Sequence, residues 1–180
     1  MSMLKKILAA LGLLLVVFII IVALQPSDFR IVRSAQVSAP PERVFPLVND
    51  FHQWQSWSPW AKLDPAAKNS FEGPSSGVGA IFRWSGNNEV GEGSMTITES
   101  KPSERILLRL DFLKPMAGTS LTEFTFQPQG DKTVVTWAMT GQNNFVAKAM
   151  CLVMNMDKMV GGQFEKGLET MKALAEAPAK

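Results

Sequence analysis

From Phe145 to Ala175 the chain reads FVAKAMCLVMNMDKMVGGQFEKGLETMKALA, and no other segment constrains the architecture as tightly. Ala149, Leu152, Val153, Met156, Met159, Val160, Phe164, Leu168, Met171 and Leu174 recur at three- and four-residue spacing, which is the pattern of a helix with one apolar face. Gly161-Gly162 interrupts the run. A mid-helix glycine costs about 1 kcal/mol relative to alanine, so a kink or a close packing contact is expected there. A helix of this length with one apolar side needs a broad apolar partner.

The preceding residues supply that partner as strands. Phe29–Val37, Ala80–Ser85, Gly91–Ser100, Arg105–Phe112, Thr119–Gln127 and Thr133–Thr140 are β-rich. The turn chemistry of Gly86-Asn87-Asn88, Lys101-Pro102-Ser103, Pro115–Gly118 and Gln129-Gly130-Asp131 separates the later ones. After the first strand, Ala39-Pro40-Pro41 breaks the chain, and Pro41 suits the first turn of a helix over Glu42–Val48. Asn49 and Asp50 end that helix. Phe51–Trp60 (FHQWQSWSPW) is read as a second short helix stopped at Ser58-Pro59. An antiparallel sheet buries one face, and the terminal helix is the only element long enough to cover it. The fold class is α+β, with a curved sheet wrapped around a C-terminal helix.

Alternation separates the faces of the strands. Ile106, Leu108, Leu110 and Phe112 share one face, as do Thr122, Phe124 and Phe126, then Val135, Trp137 and Met139, and then Met95 and Ile97. This inward set is large, aromatic and nearly free of ionisable groups. It fits a packed core, and it fits a pocket for an apolar ligand between a curved sheet and a helix. Met150, Met154, Met156 and Met159 would suit an adaptable lining, although methionine is also an ordinary gap-filler.

Residues 7–24 (ILAALGLLLVVFIIIVAL) form an uninterrupted apolar run entered through Lys5 and Lys6. At ~1.5 Å per residue it spans ~27 Å, close to the ~30 Å hydrocarbon core of a bilayer. The run is long, and it ends Val22-Ala23-Leu24-Gln25, with a bulky residue where a signal peptidase wants a small one. It is therefore read as an uncleaved signal anchor over residues 1–25, followed by one domain over 26–180. Lys5, Lys6 and the terminal amine oppose Arg30 and Arg33 across the helix. The nearer cluster favours a single-pass protein with its domain on the extracytoplasmic side.

Beyond residue 24, sixteen acidic residues are matched by sixteen Lys and Arg. With no basic stripe, nucleic acid is not an expected partner. Cys151 is the single cysteine, which excludes an intrachain disulfide or a cysteine metal cage. No phosphate-loop or HExxH spacing occurs, so no cofactor or metal is expected. His52 is the only histidine, beside Asp50 and among Trp54, Trp57 and Trp60. It is a weak candidate general base, as Arg83 and Glu92 are weak candidates for polarising or protonating a substrate. Solvated surface positions explain all three more simply. Ser58, Ser94 and Cys151 lack a base at motif spacing.

The stretch IVRSAQVSAPPERVFPLVNDFHQWQSWSPW, with GEGSMTITESKPSERI, TVVTWAMTG and MNMDKMVGGQFEKGLETMKAL further on, resembles the START-like (SRPBCC) superfamily, in particular its polyketide cyclase/dehydratase branch. The resemblance covers about residues 29–175 and lies in the order of several motifs. It implies a helix-grip fold with an apolar cavity between sheet and long helix. Lipid carriers, hormone receptors, coenzyme Q-binding proteins and cyclases share this scaffold, so catalysis does not follow from it. The expectation is a membrane-anchored domain that binds a hydrophobic small molecule, lipid or isoprenoid-like. Its cavity would be lined by Met95, Ile97, Leu108, Leu110, Phe124, Phe126, Trp137, Met139, Met156, Val160 and Phe164. The alternatives are a cyclase/dehydratase-like enzyme, or an interaction module that docks a partner through an exposed Trp54–Trp57–Trp60 patch. No pattern sets an oligomeric state.

Overall fold

The computed structural model describes residues 3–178. An apolar helix α1 (Met3–Ala23) is followed after four residues by β1 (Asp28–Val37). Pro41 starts α2 (Pro41–Asn49), as its fixed φ permits. The next segment is not one helix but a 3-10 turn (Phe51–Gln53), a single α-turn α3 (Trp54–Trp57) and a second 3-10 turn (Pro59–Lys62). Six strands follow: β2 (Lys68–Glu72), β3 (Ile81–Ser85), β4 (Glu92–Lys101), β5 (Arg105–Lys114), β6 (Gly118–Gln129) and β7 (Lys132–Gln142). Two helices, α4 (Phe145–Val153) and α5 (Met156–Glu176), complete the described chain.

All seven strands join one antiparallel sheet in the order β1-β7-β6-β5-β4-β3-β2. Strands β1 and β2 are its opposite edges, so α2 and α3 carry the chain from one edge to the other. Register shifts at Glu92/Gly93 and Ile97/Glu99 mark bulges in β4, which bend a strand. The bent sheet packs around α5, whose Phe164, Leu168 and Met171 are buried. Ile97, Ile106, Leu108, Phe124, Phe126 and Val135 are almost wholly removed from water. Burial of each such side chain contributes about 1.5–3 kcal/mol.

Two features depart from the sequence reading. Strand β2 (KNSFE) is exposed at every position, so it carries none of the alternation that reveals a half-buried strand. It exists because β3 offers an open edge. The C-terminal helix, read as one element from Phe145 to about Ala175, is broken at Met154-Asn155. There the Asn155 side chain turns back to accept from the Lys158 N–H at 2.8 Å, and Asn144 caps α4 in the same way through Ala147 at 2.9 Å. An asparagine that satisfies the first N–H groups of a helix outcompetes helix continuation. Gly161 is a close-packing position: a Cβ there would strike the Arg33 guanidinium, which lies against α5 to pair with Asp157 at 3.0 Å and Glu165 at 2.6 Å.

Helix α1 is exposed along nearly all its length, with Val22 its one buried residue. It is long and apolar enough to cross a membrane or to act as a signal sequence. Its main contact with the rest of the molecule is α4.

Candidate functional site

The inward face of the sheet is filled unequally. At one end, Phe45 of α2 meets Phe126 edge-on at 5.4 Å, and Trp54 and Trp57 meet Phe124 at 6.0 and 6.1 Å, closing the interior. The two indole N–H groups donate to the Val48 and Leu47 carbonyls at 2.9 and 2.7 Å, satisfying acceptors that the end of α2 would otherwise leave open. Trp137 stacks on Phe164 at 4.0 Å and 8°, with Phe124 at 4.8 Å and Trp60 at 5.8 Å. This aromatic block forms a floor.

On the other side of that floor lies a cavity of about 440 Å³. Met95 of β4, Leu110 and Phe112 of β5, Thr122 of β6, and Trp137 and Met139 of β7 form its sheet wall. Phe29 of the edge strand β1 lines it too, and Met156, Val160 and Phe164 of α5, Ala147 of α4, and Trp54 and Trp60 complete the lining. The β5–β6 turn (Lys114 to Gly118) and the Asn143-Asn144 lead into α4 lie around it. The wall is mainly apolar. Asp64, its one carboxylate, accepts from the backbone N–H groups of Ala66 at 3.1 Å and Asn87 at 2.7 Å, so it is engaged in tying its own loop to the β3–β4 turn.

Residues 28–176 match the family model described as polyketide cyclase / dehydrase and lipid transport. The chain belongs to this family. Solved structures share its fold. Protein CV1439 from Chromobacterium violaceum is 19% identical with a TM-score of 0.57, over 86% of this chain and 100% of that one. The di-domain ARO/CYC BexL from the BE-7585A biosynthetic pathway is 18% identical with a TM-score of 0.62, over 88% and 53%. The Aha1 dimer from Colwellia psychrerythraea is 15% identical with a TM-score of 0.59, over 84% and 99%. At these identities the likeness establishes the helix-grip fold and nothing finer. No curated protein matches the chain.

Within this family fold, the sequence-derived cavity set divides in two. Met95, Leu110, Trp137, Met139, Met156, Val160 and Phe164 come together around the cavity. Ile97, Leu108, Phe124 and Phe126 do not line it; they are buried in the solid end of the core. Alternation reports which face a side chain takes, but not how far along the strand the interior is filled. Phe29, Trp54, Trp60 and the β5–β6 turn join the wall although none was in the sequence-derived set. Trp54 and Trp60 carried a signal, since an aromatic cluster beside a short helix needs a surface to cover, but Pro115 to Ala117 read only as a turn.

None of the weak catalytic candidates lines the cavity. His52 is half exposed; its Nδ1 lies 2.7 Å from Asp50 Oδ1 and its ring stacks on Phe71 at 4.2 Å. Arg83 pairs with Glu72 at 2.8 Å, a hydrogen bond that holds the Glu72 carboxyl below the usual carboxylate range. Glu92 pairs with Lys114 at 2.8 Å, raising the Lys114 ammonium above its ordinary value. Of the three, only Glu92 pairs with a lining residue, Lys114. The exposed tryptophan patch that the interaction-module alternative requires does not form: Trp54 and Trp57 are buried and Trp60 is half-buried, because they pack α2 and the floor. Among the described residues no cluster of His, Cys, Asp and Glu could hold a metal ion.

Proposed function

We propose that this chain is a membrane-anchored carrier domain that holds a hydrophobic small molecule, a lipid or isoprenoid, between sheet and α5 without turning it over. The cavity carries this reading. Its volume of about 440 Å³ falls within the ~300–1,000 Å³ usual for small-molecule sites, and its apolar wall would supply affinity at ~25 cal/mol per Å² removed from water. Binding without turnover is favoured over cyclase or dehydrase chemistry by the state of the polar groups. Asp64 is occupied by backbone donors, Lys114 is paired with Glu92, and His52 and Arg83 lie outside. The reading places residues 1–25 as an anchor, with α1 in the bilayer and residues 26–180 as the binding domain. Lys5 and Lys6 at the entry of α1 favour the domain on the extracytoplasmic side.

The full chain, extracted from membranes in mild detergent, should release a defined apolar molecule on organic extraction and show the matching mass increment by native mass spectrometry. A chain that comes out empty, and that also fails to take up a fluorescent fatty acid or polyprenol, would overturn the carrier reading. The anchor is checked separately: intact mass should retain residues 1–24, and alkaline carbonate should leave the chain in the membrane pellet.

A further inference from the structure

Helix α4 presents a pattern that packing leaves unexplained. Phe145, Val146, Ala149, Leu152 and Val153 follow the i, i+1, i+4, i+7, i+8 spacing of a core-facing stripe. Yet α4 has no buried residue, and Phe145, Val146, Leu152 and Val153 are 48%, 55%, 39% and 83% exposed. In a protein surrounded only by water such a stripe is turned inward. Its position says what covers it. The chain leaves α1 at Ala23, and four residues on, the Ser27 carbonyl accepts from the Asn143 N–H at 2.7 Å, immediately ahead of α4. Helix α4 therefore starts where the anchor helix ends, and it packs against α1 itself. Lys148 on α4 and Lys158 just beyond it have no carboxylate partner within 4 Å among the described residues, which leaves both ammonium groups available to phosphate headgroups.

We infer that α4 is an interfacial helix whose apolar stripe is seated in the phospholipid surface beside the anchor. The inference rests on the anchor reading of α1 and deepens the carrier reading. An interfacial helix lies in the plane of the membrane, its apolar side ~5–10 Å into the headgroup–acyl boundary. Ala147 on the same helix, and Asn143 and Asn144 ahead of it, belong to the wall of the cavity. Seating α4 in the lipid surface thus brings that wall against the bilayer. An apolar ligand then passes between membrane and cavity around α4 without crossing bulk water.

The sole cysteine makes the test direct. In the full chain reconstituted into phosphatidylcholine–phosphatidylglycerol vesicles, an environment-sensitive fluorophore is attached at Val146→Cys or Val153→Cys in a Cys151→Ala background. In the parent it is attached at Cys151, which lies across the helix from the stripe. Labels at 146 and 153 should shift to the blue and lose emission when lipids carry a shallow nitroxide quencher, with a smaller loss at 151. Flotation separates the two readings. Chains that float with vesicles while labels at 146 and 153 report water keep the anchor and overturn the interfacial helix. Chains that fail to float overturn both. Labels that self-quench with rising protein density, without quenching by lipid, would assign the stripe to a second copy and likewise overturn the inference. Both substituted positions are exposed, so neither variant disturbs the core.

Discussion

At Gly167 an added methyl group would stand 2.9 Å from the Trp137 ring and 3.1 Å from Pro59 Cδ, both fixed in the aromatic floor. At Gly161 it would meet only the movable end of the Arg33 side chain. Gly167→Ala should therefore destabilise by about 1–3 kcal/mol despite the better helix propensity of alanine. Gly161→Ala should stay within about 1 kcal/mol of the parent, because loss of surface ion pairs and gain of propensity nearly cancel. Thermal unfolding followed by tryptophan fluorescence distinguishes the two. Arg33 also sets a pH dependence. Its hydrogen bond holds the Asp157 carboxyl below the usual carboxylate range, as Arg83 and Arg105 do for Glu72 and Glu99. Each folded pKa lies below its unfolded value, so the stabilisation is complete above ~pH 4–5 and is lost as pH falls through the depressed values. The melting temperatures of Arg33→Gln and the parent should differ near neutrality and draw together in acid. A constant difference down to pH ~2 would show that the pairing contributes nothing.

Among the elements, the two C-terminal helices differ in what stabilises them. Helix α5 buries Phe164, Leu168 and Met171, whereas α4 buries nothing and depends on its Asn144 cap and its neighbours. Asn155→Ala removes the acceptor for the Lys158 N–H and should cost about 1 kcal/mol, read by denaturant unfolding. Amide exchange should be fast in α4 and slow in the second half of α5 when the chain is in detergent. Equal protection in both helices would contradict the assignment of α4 as a segment without buried support. The break itself was legible in principle, because Asn155 stands directly before an acidic first turn. The methionine-rich run on either side hid it, since it continues the helical periodicity without interruption.

In the molecule as a whole, the half-filled interior is where the proposed ligand would sit. Ala147→Phe projects a ring from α4 into the cavity while leaving the floor intact. If overpacking opposes the ligand by about 1–3 kcal/mol, retention should drop about tenfold or more, while the melting temperature of the ligand-free chain stays unchanged. Unaltered retention would mean that the ligand does not occupy this space. Local pattern is enough for much of this architecture. Period-2 alternation defines the inward faces of the long strands, period-3.6 spacing defines the terminal helix, and eighteen apolar residues define α1, because each signal is carried by near neighbours in the chain. Three properties depend on tertiary structure: the pairing of polar β2 with an open sheet edge, the outward direction of the α4 stripe, and the depth to which α2 and the tryptophans fill the sheet. Each is a contact between segments far apart in sequence. For that reason Phe124 and Phe126 became core while Met139 and Leu110, with the same alternation, became cavity wall.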